Sequence, residues 1–180
     1  MFTRTSIERQ ARASNECHAR LNEAFESYRA KPSDAARQKW KDAATAFHNC
    51  ENTAFYLWPT EARHQMRRGE REAVEDALIF LEVDPWFFRS GYLKERVTRH
   101  LKSARLSEDD AQRLRDVVFA VACGRNRREF RDYCRLALRV WTPVWEEFLR
   151  QQLQTRGAAS GGGKLFYLLQ FLDAHRDKLI

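Results

Sequence analysis

Ile7, Ala11, Ser14, His18, Leu21, Phe25 and Tyr28 recur at alternating spacings of three and four. That rhythm puts them on one face of a single long α-helix, predicted from about Ser6 to Ala30. Lys31-Pro32-Ser33 interrupts it, because proline cannot continue the hydrogen-bonded ladder. Ser33 then offers an N-cap, with Asp34 favourable to the helix dipole. Trp40, Ala43, Phe47, Cys50, Ala54 and Leu57 repeat the same spacing up to about Trp58. Two such helices joined by a short loop form an antiparallel hairpin over residues 1–59.

Chain breakers are scarce afterwards too. The 180 residues hold four prolines and seven glycines, three of them consecutive. Residues 60–180 therefore read as further helices, shorter and more sharply bounded. Thr60–Arg68 forms a short one stopped by Gly69. The pattern then predicts Glu70–Val83, Pro85–Ser103, Glu108–Cys123, Asn126–Trp141, Pro143–Thr155 and Lys164–Lys178. Asp84-Pro85 and Thr142-Pro143 place a cap before a proline at the first helical position. Ser107 with Asp110 forms a capping box. Gly124 and Gly157 stand where C-caps belong, and Ala158–Gly163 is a loop of small residues. No alternation of period two competes, so the class is all-α and the chain a single domain.

These six helices fall into three pairs whose first members start about 36 residues apart. In period and patterning, residues 70–180 resemble HEAT-like α-helical repeat proteins. The resemblance implies an α-solenoid in which the second helices of successive pairs line one surface. An irregular bundle of short helices is the other architecture compatible with the pattern.

Net charge is +7. Between Arg89 and Arg139 there are 14 Lys and Arg against 7 Asp and Glu, so this stretch carries the whole excess. On the helix starting at Asn126, Arg128, Arg131, Arg135 and Arg139 span an arc of about 80°. Phe130, Cys134, Ala137, Leu138 and Trp141 occupy a different face. Arg125 and Arg127 add charge at the helix start, where it opposes the dipole and does nothing for helix stability. Arg89, Lys94, Arg96, Arg99 and Lys102 form a second basic row, which side-by-side packing would merge with the first. The 25 arginines against 7 lysines suit bidentate contacts with carboxylates or phosphates. The row reads either as a solvated face, with Glu95, Glu129 and Asp132 as local counter-charges, or as a docking surface.

Trp86, Phe87, Phe88 and Tyr92 cannot all face one way on a helix, so at least one points outward. An exposed Trp86 or Tyr92 beside arginines would serve as an aromatic contact. Gly91 implies close approach of a neighbouring element. In the hairpin, residues whose numbers sum to about 64 face each other, which brings Cys17 and His18 near His48, with Cys50 within a turn. Two cysteines and two histidines are a zinc-compatible set. Their spacings match no finger, however, and Cys17 and His18 point about 100° apart. Neither a metal nor a cofactor is expected.

GxGxxG, P-loop, HExxH and GxSxG signatures are missing. Gly161-Gly162-Gly163-Lys164 lacks the following Ser or Thr of a phosphate loop. The N-terminal stretch has no apolar segment of the signal-peptide kind, and no window approaches the ~18 apolar residues of a membrane span. With four dispersed cysteines the expected location is the cytoplasm. The function expected is a non-catalytic interaction or adaptor module whose arginine face meets an acidic protein. The alternative is a protein that binds the DNA or RNA backbone, in repair or defence. HEAT-like DNA-repair glycosylases, which hold duplex DNA on a basic concave face, resemble it in outline.

Overall fold

Thr3 starts the first helix. Its Oγ1 accepts from the Ser6 N–H at 3.1 Å, and Ser6 Oγ accepts from the Thr3 N–H at 2.9 Å. This reciprocal cap satisfies two otherwise orphaned donors. In the computed structural model, which describes residues 2–54, 60–156 and 162–175, α1 runs Arg4–Ala30 and α2 runs Asp34–Ala54. Ser33 Oγ accepts from the Ala36 N–H at 3.2 Å, the cap expected there. The two helices pair antiparallel. Phe25 meets Trp40 at 5.5 Å between ring centroids, and Tyr28 stacks on Trp40 at 5.6 Å. Leu57 and Trp58 lie outside the described residues.

Among the described residues, the near half of this hairpin packs on the helices that follow. Ile7, Ala11 and Ser14 are buried, while Phe25 is exposed. His18 stacks on Phe88 at 4.3 Å, and Asn15 Nδ2 donates to the Trp86 carbonyl at 2.8 Å.

The short helix α3, Thr60–Arg68, ends at Gly69, whose φ is +75°. A Cβ at Gly69 would also lie 2.8 Å from the Arg105 Cβ and 3.2 Å from its carbonyl oxygen. Left-handed backbone and crowding act together here. Gly69→Ala should therefore lower unfolding free energy by about 1–3 kcal/mol in a urea titration.

The remaining helices are α4 (Arg71–Val83), α5 (Ser90–Leu101), α6 (Glu108–Cys123), α7 (Phe130–Arg139), α8 (Pro143–Arg156) and α9 (Gly162–His175). Among the described residues there is no strand. The predicted pairs are present: α4 turns into α5, α6 into α7, and α8 packs on α9. Each pair then stacks on the next, with α4 on α6, α5 on α7 and α7 on α9. α4 touches α1, α3, α5 and α6, so its buried Val74, Leu78, Phe80 and Leu81 form the centre of the core. The Ser107–Asp110 box and the Thr142 cap form as expected, Thr142 Oγ1 accepting from the Trp145 N–H at 3.1 Å. Trp145 is buried.

Two expected helix starts are corrected. Asp84-Pro85 does not open a helix. Asp84 closes α4 as its C-cap, at φ 49°, its N–H donating to the Phe80 carbonyl. Proline disfavours helical backbone in the residue before it, and residues 85–89 are spent on a turn that buries Phe87. Gly91 therefore sits near the start of α5, not in mid-helix. The helix expected from Asn126 starts at Phe130, because residues 125–129 reach back to the first pair. Arg128 consequently lies on a turn and leaves the helical stripe. At the last pair, Gly162 and Gly163 already belong to α9. Gly157 lies outside the described residues.

Candidate basic interaction face

One of the arginines counted as surface charge by sequence spacing, together with one lysine, has other employment. Lys94 is 1% exposed, its Nζ donating to Asp84 Oδ1 at 2.6 Å. Arg127 grips the same carboxylate with both terminal nitrogens, at 2.7 and 2.9 Å. Lys94 belongs to the buried row Ser90, Leu93, Val97, Thr98 and Leu101, a placement its three-and-four spacing already signals. Burial is the largest influence on Asp84 and pushes its pKa up. The Arg127 and Lys94 contacts together outweigh it and hold the carboxyl below its ordinary value. Burial likewise dominates at Lys94 and lowers its pKa against the pull of Asp84. This buried cluster fastens the turn of the first pair to that of the second. Buried Tyr133 of α7 lies against it, its pKa raised chiefly by burial.

Lys164, at the start of α9, fastens the third pair. Its Nζ donates to the carbonyls of Val121, Gly124 and Arg125. A cation at these closing carbonyls of α6 satisfies acceptors that the helix itself leaves open. This is a structural role for the lysine that follows the triple glycine.

The exposed guanidiniums are arranged on neighbouring helices. Leu93, Val97 and Leu101 of α5 and Tyr133, Leu136 and Ala137 of α7 face inward. Their opposite faces carry Arg96 and Arg99, and Arg131, Arg135 and Arg139, all exposed. Because α5 and α7 lie side by side, the two rows share one surface. Arg99 and Arg135 in the rows, and Arg128 on the adjoining turn, have local counter-charges. Arg99 contacts Glu95 at 2.6 Å, Arg128 contacts the same carboxylate at 3.5 Å, and Arg135 contacts Asp132 at 2.9 Å. Arg125, Arg131 and Arg139 have no ion pair among the described residues.

The face extends further than sequence spacing indicated. α3 packs on α5 and supplies Arg63 and Arg67. His100, between the two helices, has its pKa lowered first by burial and then by Arg63, Arg67, Arg99 and Arg96. All four arginines are thus close enough to raise one local positive potential. The i,i+4 spacing of Arg63 and Arg67 on the short helix was the available signal; which neighbour that helix would meet was not.

Arg89, Arg125 and Arg128 gather elsewhere on the same helix pairs. With Trp86 and Tyr92 they line an open groove of 580 Å³ between the turns at 84–89 and 124–129. Arg89 holds φ 64° at the head of α5. The Arg128 guanidinium lies over the Tyr92 ring, 3.7 Å from its centroid. Trp86 is 64% exposed and Tyr92 51%. A Cβ on Gly91 would stand 2.8 Å from the buried Glu129 carboxylate, which accounts for the glycine.

The four candidate metal ligands behave differently. Cys17 and Cys50 meet across the hairpin, and burial with the Cys17 contact pushes the Cys50 thiol up to about 11. His18 is turned instead into an aromatic stack between Phe47 and Phe88, and His48 lies beside Phe47 at 5.9 Å. Among the described residues no three His, Cys, Asp or Glu side chains converge on a metal position.

No protein-family model, curated protein or solved structure matches the chain. What fold and surface define is a class: a nine-helix protein, counting the described residues, with a protruding hairpin and stacked helix pairs. No described helix is long and apolar enough to cross a membrane.

Proposed function

We propose that the chain is a non-catalytic helical interaction module that docks an acidic protein partner on the arginine face of α3, α5 and α7. The observation that carries this reading is the shared surface of the α5 and α7 rows, with Arg131 and Arg139 left without ion pairs among the described residues. Exposed guanidiniums that stabilise nothing within the fold remain available for carboxylates. Glu95 and Asp132, set among them, favour a protein over a nucleic acid. A phosphate backbone presents anions continuously, whereas a protein segment leaves gaps that these acids tolerate. The stacked pairs support a HEAT-like solenoid as the scaffold, and cysteines without a disulfide among the described residues support placement in the cytoplasm.

The test is fluorescence anisotropy with labelled polyglutamate and with single-stranded and duplex oligonucleotides of equal charge. The chain should bind polyglutamate in low salt and release it as salt rises. Arg131→Glu with Arg135→Glu should weaken that binding at least tenfold, with helicity by circular dichroism unchanged. Full binding by the double variant would reduce the row to a solvated face. Tighter binding of either oligonucleotide would transfer the face to nucleic acid.

A further inference from the structure

The groove between the first two turns differs from the rest of the arginine face. Four guanidiniums, those of Arg89, Arg125, Arg127 and Arg128, line it against one carboxylate, Glu129. Arg127 is held by Asp84 and Arg128 by Tyr92 and Glu95. Arg125 has no carboxylate partner among the described residues, and the Arg89 guanidinium lies 5.2 Å from the Phe88 ring centroid, with no ion pair among the described residues. Arg89 is a non-glycine residue in left-handed backbone. That conformation costs of order 1 kcal/mol or more, and such costs persist where the surroundings demand them. Here it sets a cation at the head of α5, the end of a helix that prefers an anion.

The beginnings of α5 and α7 both face this groove, and neither has a side-chain cap. Their Ser90, Tyr92, Phe130 and Asp132 N–H groups donate to backbone carbonyls of the same turns, so the arginines carry the positive field of the groove. Beside them stand Trp86 and Tyr92, both largely exposed. Trp, Tyr and Arg together are the composition of a binding hot spot. A volume of 580 Å³ lies within the range of pockets that take a few side chains.

We infer that this groove anchors a short acidic segment of the partner in which an aromatic or aliphatic side chain stands next to carboxylates. The apolar side chain lies on Trp86, and the carboxylates meet Arg89 and Arg125. The inference rests on the acidic-protein reading above and adds a specificity that the arginine rows lack. Charge complementarity selects acidity; the aromatics select the apolar neighbour. Glu129 and Glu95 again disfavour a continuous phosphate chain.

The experiment uses the full chain and three fluorescein-labelled probes: the peptide Glu-Asp-Phe-Glu-Glu-Leu-Asp, the same peptide with serine for Phe and Leu, and an oligothymidylate of equal charge. The apolar-acidic peptide should bind at least tenfold more tightly than the serine version. Trp86→Ala should remove that preference and leave the serine peptide unaffected. Arg125→Ala should weaken both peptides. Trp86 is exposed and its contact with Asn15 is through the backbone, so the fold should persist; unchanged circular dichroism checks this. Trp86→Phe, which keeps a ring, should retain most of the preference. Equal binding of the two peptides, or a preference that survives Trp86→Ala, overturns the groove while leaving the arginine face standing. Tightest binding of the oligothymidylate, lost on Trp86→Ala, replaces the peptide with single-stranded nucleic acid. No binding by any probe overturns both proposals.

Discussion

Asp84→Asn should lower the unfolding free energy by about 3 kcal/mol, the lower end for removing one partner from a buried ion cluster. The lower end applies because the Asp84 side chain keeps 32% of its exposure. Asparagine matches aspartate in shape and accepts the left-handed backbone at φ 49°, so the loss is one of charge. Lys94, 1% exposed, and Arg127, 8% exposed on its side chain, would lose their hydrogen-bonded counter-charge and keep the Coulombic pull of Glu129. At roughly 2–4 °C per kcal/mol for a chain of this size, the melting temperature should fall by about 10 °C. Asp84→Asn with Lys94→Met should recover most of the loss, since it removes the stranded cation as well. No recovery would mean that the cluster is not the source of the effect.

The cluster also predicts pH dependence. Asp84 titrates below its ordinary value in the folded state, as do Asp110, where burial is opposed by Arg71 and Ser107, and Glu75, through Arg113. For such groups the unfolded chain binds protons first as pH falls. Their contribution is complete above the ordinary carboxyl range and is lost as pH drops through the folded pKa. Stability should therefore decline below about pH 4, less steeply in Asp84→Asn. Lys94 adds a slope of the same sign at the alkaline end. Its folded pKa is depressed, so the unfolded state binds more protons between the two values and stability rises with pH there. Asp84→Asn deepens that depression, and the variant should regain stability under alkaline conditions. Urea titrations from acidic to alkaline pH would show both slopes.

Phe80→Ala should be comparably severe, at about 3–5 kcal/mol, with a fall in melting temperature of 10 °C or more. Phe80 is fully buried on α4, the helix that contacts α1, α3, α5 and α6. The cavity would open where four elements meet, and rigid neighbours collapse into it poorly. Trp40→Ala is the informative contrast. Trp40 is half-buried and packs on Phe25 and Tyr28 within the hairpin. Its loss should loosen the far half of the hairpin and move the main thermal transition by less than half as much as Phe80→Ala. Equal shifts would show that hairpin and helix pairs unfold as one unit.

The sequence by itself determined the helices and most of their ends. Three-and-four spacing makes each apolar stripe, and Ser33, Ser107 and Thr142 supply caps through contacts within three residues. Such signals are local and survive in a linear reading. It also determined where the excess charge lies along the chain, and that Trp86 or a neighbouring ring points outward. Only the tertiary structure decided what each charge does. Lys94 and Arg127 look like surface cations until Asp84, 10 and 43 residues away, claims them. Arg128 loses its place on the stripe because its turn bends toward α5, and Arg63 and Arg67 join the face because α3 lies on that helix. The physical reason is range. Helix formation is set by neighbours along the chain, whereas burial of a charge and assembly of a surface depend on which helices meet, and no local spacing encodes that.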